Sequence, residues 1–190
     1  EEIQKVMPKS SYALLADELR RGHYVLDLSK FQKEIIYNLR KMKVGDIAQL
    51  ADVSEGLENA IKNAANSCNN VVDFVNIVKC KRYTQTRIQR ILIYALLGIT
   101  SEKMMTSKKT TPYARILGFN EKGKKLISQI VKHNKRAQIV TSVKKYMDES
   151  KNKALKEMLE TDIFATNVYT LGYESDSWSN LDYTNKIITM

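Results

Sequence analysis

The stretch Lys79–Leu97, KCKRYTQTRIQRILIYALL, constrains this chain more than any other. It opens basic and aromatic and closes as a nearly continuous apolar segment. Ile88, Ile91, Leu92, Ala95 and Leu96 recur at helical spacing, which predicts one buried face. Arg87, Arg90 and Tyr94 follow at i, i+3 and i+7 on a different face. Thr84 or Thr86 can serve as the N-cap, so cations crowd the start of the helix. The macrodipole is positive there, and each exposed cation costs about 0.3–1 kcal/mol. Two arrangements reverse that cost. An anion can sit between the free N–H groups and the arginines, or carboxylates from elsewhere in the fold can pair with them.

The distribution of charge favours the anion. The net charge of +10 is not spread evenly. Residues 79–145 hold 17 Lys/Arg against Glu102 and Glu121, a net of +15. Residues 1–78 carry 10 basic and 11 acidic side chains, and residues 146–190 carry 4 and 8. Such asymmetry is the footprint of a polyanionic partner. The alternative, a solvated basic face, usually intersperses both signs. The basic residues are interleaved with Tyr, Thr, Asn and Gln and lack the Leu/Trp backing of an interfacial helix, which favours nucleic acid over a membrane. With 190 residues and 43% apolar content, the chain can bury a real core. It begins at Glu1 without an initiator methionine, and it is expected to be a piece of something longer. No apolar run reaches 18 residues, so no membrane span and a cytoplasmic setting are expected. Cys68 and Cys80 are the only cysteines and His23 and His133 the only histidines, which argues for reduced thiols and against zinc.

Along the chain, helices are expected up to Met7, from a Ser10 or Ser11 cap to Arg21, and from a Ser29 cap through FQKEIIYNLRKM. Gly45 should separate that helix from DIAQLADV, and Gly56 should precede LENAIKNAAN. The turn Ser54-Glu55-Gly56 invites a helix-turn-helix, but the helix after it has no basic recognition face. Asn69 or Asn70 should cap VVDFVNIVK. Ser107–Thr111 is expected as an exposed basic loop before Pro112. Ala114–Phe119 and Gln138–Val143 read as short strands around a helix capped by Asn120, a βαβ unit with parallel strands. Lys151–Leu159 should be helical. From Asp162 an irregular tail is expected, with extended pieces at Val168–Leu171 and Lys186–Ile188.

Gly118–Lys125, GFNEKGKK, nearly matches the phosphate loop G-x-x-x-x-G-K-[ST]. Lys125 stands where a Ser or Thr must hold magnesium, and no strand ending in Asp comes after it. Exposed N–H groups with Lys122, Lys124 and Lys125 still suit a backbone phosphate, and the plain structural reading is a tight turn eased by its glycines. The histidines have no triad-like partners in sequence, and solvated surface positions are expected for them. Asp17 and Glu18 point apart, Met104 and Met105 should fill core, and Trp178 with the tail tyrosines should anchor the tail.

KRYTQTRIQRILIYALLGI, PYARILGFNEKGKKLISQI and the tail D-I-x-A-T-x-x-Y-x-L (Asp162–Leu171) resemble the C-terminal half of the bacterial tRNA(Met) cytidine acetate ligase family. The opening EEIQKVMPKSSYALLADEL resembles the segment just after that family's nucleotidyltransferase-like domain, so the likeness covers essentially the whole chain. The resemblance implies an ATP-, magnesium- and acetate-dependent enzyme that acetylates the wobble cytidine of elongator tRNA(Met). It places the ATP site in a domain absent from this chain. The implied expectations are a mainly α fold with the small βαβ unit and an irregular tail, and a tRNA-binding C-terminal domain that is inactive by itself. No catalytic residue, metal or cofactor is expected in this chain. Segments 1–78, 79–145 and 146–190 should together form one compact domain. Lys79, Lys81, Arg82, Arg87 and Arg90 are expected on phosphates, extended by Lys108, Lys109, Arg115, Lys122, Lys124 and Lys125, with Tyr83 stacked on a base. The expected partners are tRNA and the absent catalytic domain, with a homodimer left open and no membrane. The alternatives are a structural or dimerisation domain and a phosphate-loop NTPase.

Overall fold

Apolar periodicity, more than charge, partitions this chain. The computed structural model describes residues 2–54, 56–133 and 138–189. Two compact units form, Glu1–Tyr24 with Lys109–Met190, and Val25–Lys108. These limits differ from the charge-based segments, because the basic run 79–145 passes through Lys108 and Lys109 from one unit into the other.

In chain order, α1 (Glu2–Val6) and α2 (Lys9–Arg20) open the first unit. Glu1 and Glu55 lie outside the described residues, so the turn expected at Ser54-Glu55-Gly56 is described only at its two ends. Among its described residues the unit Val25–Lys108 is helical apart from one isolated antiparallel bridge between Leu50 and Thr100: α3 (Gln32–Lys41), α4 (Val44–Ala48), α5 (Leu57–Ser67), α6 (Val71–Val78), α7 (Gln85–Leu97) and α8 (Ser101–Lys109, whose last residue passes the boundary). Its core is dense. Ile35, Leu39, Ile47, Leu57, Ile61, Phe74, Ile88, Ile91 and Leu92 are essentially without solvent contact. In α7 the predicted stripe is buried at Ile88, Ile91, Leu92 and Ala95, whereas Leu96 is only half-buried. Thr84 caps it, and Gly98, at φ 64°, closes it in the left-handed conformation that favours glycine.

The other unit adds β1 (Tyr113–Arg115), β2 (Gly118–Phe119), α9 (Glu121–His133), β3 (Gln138–Val140), α10 (Val143–Glu149), α11 (Lys153–Thr170), α12 (Leu181–Thr184) and β4 (Ile188–Thr189). The chain is thus mainly helical with two short parallel strand pairs. β1 pairs β3, with Tyr113 opposite Gln138 and Arg115 opposite Val140, across the intervening α9. β2 pairs β4, with Gly118 opposite Ile188. Val140, Val143, Leu159 and Ile163 form a small core, joined by Tyr113, Tyr146 and Met147.

Several local expectations are corrected. Asp27, not Ser29, caps the chain entering α3: its carboxylate accepts from Ser29 N at 2.7 Å and starts a 3-10 turn, Leu28–Phe31. Pro8, not a serine, precedes α2, and Gly45 lies inside α4. Ser107–Lys109 is helical. Up to Thr170 the tail is not irregular: α11 runs 18 residues, because Leu155, Leu159 and Ile163 continue one buried stripe at i, i+4 and i+8. Val168–Thr170 is therefore helix, not strand. The stretch from Leu171 to Asn180 is irregular as expected, and the extended piece expected at Lys186–Ile188 overlaps β4. Met105 and Trp178 are exposed, the latter at 80%, so neither fills core. His23 is not simply solvated: its Nδ1 pairs with Glu18 at 2.7 Å and its ring stacks on Tyr173.

Two cations outside the basic run tie the helical unit together. Lys62 of α5 donates to the carbonyls of Leu39, Arg40 and Met42 at 3.2, 2.6 and 2.6 Å, closing the C-terminal end of α3. Arg40 of α3 donates to Ala65 and Cys68 carbonyls at 2.7 and 3.0 Å, closing α5. Each helix thus supplies the cation that the negative end of the other favours.

Candidate nucleic-acid interface

The head of α7 resolves the cation problem internally. Arg87 donates through Nε and Nη2 to the Asp52 carbonyl at 3.1 and 2.7 Å, and through Nη2 to Ser54 Oγ at 3.1 Å. Arg90 donates to the Asp52 carboxylate through Nε and Nη2 at 3.0 and 2.8 Å. Asp52 holds φ 63°, a left-handed conformation that Asp tolerates better than most residues, and this turns both of its acceptors toward α7. Hydrogen bonding to Asp52 raises the Arg90 pKa further. Within the fold, therefore, Arg90 meets a carboxylate, as the second arrangement expected, whereas Arg87 meets a main-chain carbonyl and a hydroxyl. Sequence spacing could not have found Asp52, which lies 35 residues before Arg87.

Tyr83 is engaged as well. The Arg82 and Arg87 guanidiniums lie 5.4 and 5.3 Å from its ring centroid, so base stacking would compete with two cation–π contacts. Lys79, Lys81 and Lys108 are exposed, and none of the three makes an ion pair among the described residues. These residues belong to the helical unit.

In the other unit, Arg115 is also committed. It bridges Asp162, at 2.8 Å, and Asp182, and its side chain is only 18% exposed. One oxygen of Asp182 is buried without a partner among the described residues. Tyr113 donates to Asp162 at 3.1 Å, and burial first, then the Asp162 charge, pushes its phenol up to about 12. The folded state thus holds this proton more tightly than the unfolded chain, whose tyrosine titrates near 10. The associated stability is complete below pH 10 and is lost as pH rises toward 12. Urea unfolding midpoints at pH 9 and pH 11.5 should accordingly fall less in Tyr113→Phe than in the unaltered chain. Equal falls would remove Tyr113 from this linkage.

Lys109, Lys122, Lys124 and Lys125 are exposed, the last three around the start of α9. GFNEKGKK does not form a phosphate loop. Gly118 sits in a strand so close to Ile188 that a Cβ would meet its carbonyl at 3.1 Å, and Gly123 lies within α9. Asn120 caps that helix by accepting from Gly123 N at 2.8 Å. Neither glycine has a positive φ, so close approach and not a strained turn explains them. This segment does not fit the phosphates of ATP. Among the described residues no group of three His, Cys, Asp or Glu could hold a metal, and no helix is long and apolar enough to cross a membrane.

A family model described as HIGH Nucleotidyl Transferase matches residues 1–183. The chain belongs to the HIGH nucleotidyl transferase family. It is 37% identical over its whole length to the tRNA(Met) cytidine acetate ligase of Thermoanaerobacter pseudethanolicus, and 39% identical over 99% of its length to that of Acetivibrio thermocellus. It spans about half of these relatives, 46% in each case. The crystal structure of apo Thermotoga maritima TmcAL superimposes with a TM-score of 0.86 at 26% identity, over 97% of this chain and 46% of that one. A second TmcAL crystal structure, bound with alpha-thio ATP, gives 0.85 over 97% and 47%.

These matches correct the expectation that the chain is a C-terminal RNA-binding part lacking the nucleotidyltransferase. The HIGH nucleotidyl transferase model itself covers residues 1–183, which points to the catalytic part of such ligases. The expectation that no cofactor belongs to this chain loses its support for the same reason.

Proposed function

We propose that this HIGH nucleotidyl transferase domain works in an ATP-dependent ligase that modifies a cytidine of tRNA(Met). The observation that carries the reading is the likeness to tRNA(Met) cytidine acetate ligases over essentially every residue of this chain, together with the nucleotidyl transferase match. ATP, accompanied by magnesium, is the proposed cofactor, supported by the alpha-thio ATP bound to one TmcAL structure, with acetate as co-substrate and the cytoplasm as setting. The exposed cations are the proposed phosphate contacts: Lys79, Lys81, Lys108 and Arg82, the last also lying over the Tyr83 ring, in the helical unit, and Lys109, Lys122, Lys124 and Lys125 in the other. Arg87, Arg90 and Arg115 hold carboxylates or carbonyls and act through the fold, and Tyr83 shapes the arginines above it.

Two titrations of this chain test the reading. ATP binding measured by calorimetry should be detectable and should be competed by alpha-thio ATP; its absence would sink the nucleotidyltransferase role of this chain. Affinity for tRNA(Met) should fall on the order of a thousandfold between 50 and 200 mM salt if about six phosphates are contacted. A flat salt dependence would remove the lysines from the RNA.

A further inference from the structure

Two exposed apolar faces of opposite charge lie in the unit that joins Glu1–Tyr24 to Lys109–Met190. The first is on α9. Its Leu126, Ile127, Ile130 and Val131 share one side at helical spacing, yet none of its described residues is buried. By contrast α7, of the same 13 residues, buries Ile88, Ile91, Leu92 and Ala95. Half-buried Ile127 and Gly123, where a Cβ would come within 3.2 Å of Phe119, mark the part of α9 turned inward. Leu126 and Val131, at the edges of that side, stay 55% and 56% exposed. Lys122, one turn before Leu126, and Lys124, two turns before Val131, continue the same edges. The second face is the segment between α11 and α12. Leu171 and Trp178 are 75% and 80% exposed there, beside Glu174 and Asp176, and no lysine or arginine occurs from 171 to 185. Both sets of side chains are open, so neither face covers the other.

An apolar face left open marks a contact surface, and the charge around it selects the occupant. A nucleic acid or an anionic lipid would suit the lysines of α9 but would be repelled by the acidic segment around Trp178. A basic, aliphatic face and an acidic, aromatic one on the same unit are both complemented by a second copy of this chain. We propose that α9 of one copy packs on the Leu171–Trp178 segment of another. Trp178 lies across Leu126, Ile130 and Val131, and the edge lysines Lys122 and Lys124 face Glu174 and Asp176. Each copy offers both faces, so the reciprocal contact closes a two-fold dimer. Under the function proposed above, RNA and the second copy compete for Lys122 and Lys124.

Trp178 is the only tryptophan, so its fluorescence reads the contact directly. Sedimentation equilibrium of the full chain should show a monomer–dimer equilibrium that weakens as salt is raised. Trp178 emission should move to shorter wavelength as the dimer forms. Leu126→Gln should weaken association about tenfold. The double variants Lys122→Glu/Lys124→Glu and Glu174→Lys/Asp176→Lys, all at exposed positions and checked for unchanged circular dichroism, should each be monomeric alone. An equimolar mixture of the two should dimerise, because each then offers the charge that the other needs. A chain that stays monomeric up to about 1 mM overturns the proposal, and so does a mixture that stays monomeric while the unaltered chain dimerises. In a monomeric chain, a Trp178 shift on adding tRNA(Met) or anionic vesicles would give the face to RNA or to lipid instead.

Discussion

Arg115→Ala should destabilise the unit that holds it by about 2–3 kcal/mol, the larger of two effects expected from single charged residues. The guanidinium is 18% exposed and bridges Asp162 and Asp182, the latter 10% exposed with one oxygen already unpartnered among the described residues. Removing it leaves two carboxylates facing each other with no counter-charge. Breaking a fully buried pair costs about 3–5 kcal/mol, and the 43% exposure of Asp162 moderates that here. Urea unfolding should show a lower midpoint with an unchanged slope. In a double-mutant cycle with Asp182→Ala, the coupling should exceed about 1 kcal/mol. A midpoint shift worth less than about 0.5 kcal/mol, accompanied by weakened RNA binding, would return Arg115 to the phosphate contacts.

Lys62→Met should cost about 2 kcal/mol although it keeps the aliphatic stem, because hydrogen bonds from a charged donor contribute more than neutral ones. Three carbonyls at the end of α3 would lose their donor, and the negative end of that helix its cation. Lys62→Arg should recover less than half of the loss. A planar fork cannot aim three donors at three convergent oxygens as a rotating ammonium can. The same urea experiment reads both variants, and full rescue by arginine would mean that charge alone, not the three-way geometry, closes α3.

Much of the local chemistry was legible where the interaction spans one or two turns, although the Asp27 cap and the His23–Glu18 pair were not. The buried stripe of α7, the Thr84, Asn70 and Asn120 caps, and the parallel pairing of β1 with β3 arise from spacing, cap residues and the rule linking a crossover helix to parallel strands. The length of α11 was misread because Thr, Asn and Tyr past Asp162 have weak helix propensity, and tertiary burial of Ile163 and Thr170 overrides it. The pair β2–β4 joins residues about 70 positions apart and has no local signal.

The sequence by itself determined a mainly helical chain, a strongly basic middle and a likeness to tRNA-modifying ligases. It could not assign individual cations, since charge counting treats every arginine as equally free. Only the tertiary structure brought Asp52 to Arg87 and Arg90, and Asp162 and Asp182 to Arg115. The physical reason is that a guanidinium takes whichever acceptor the packed backbone delivers within about 3 Å, and that delivery depends on how the helices dock, not on neighbours in the chain. The exposed lysines that make no ion pair among the described residues are the ones proposed above for the phosphates.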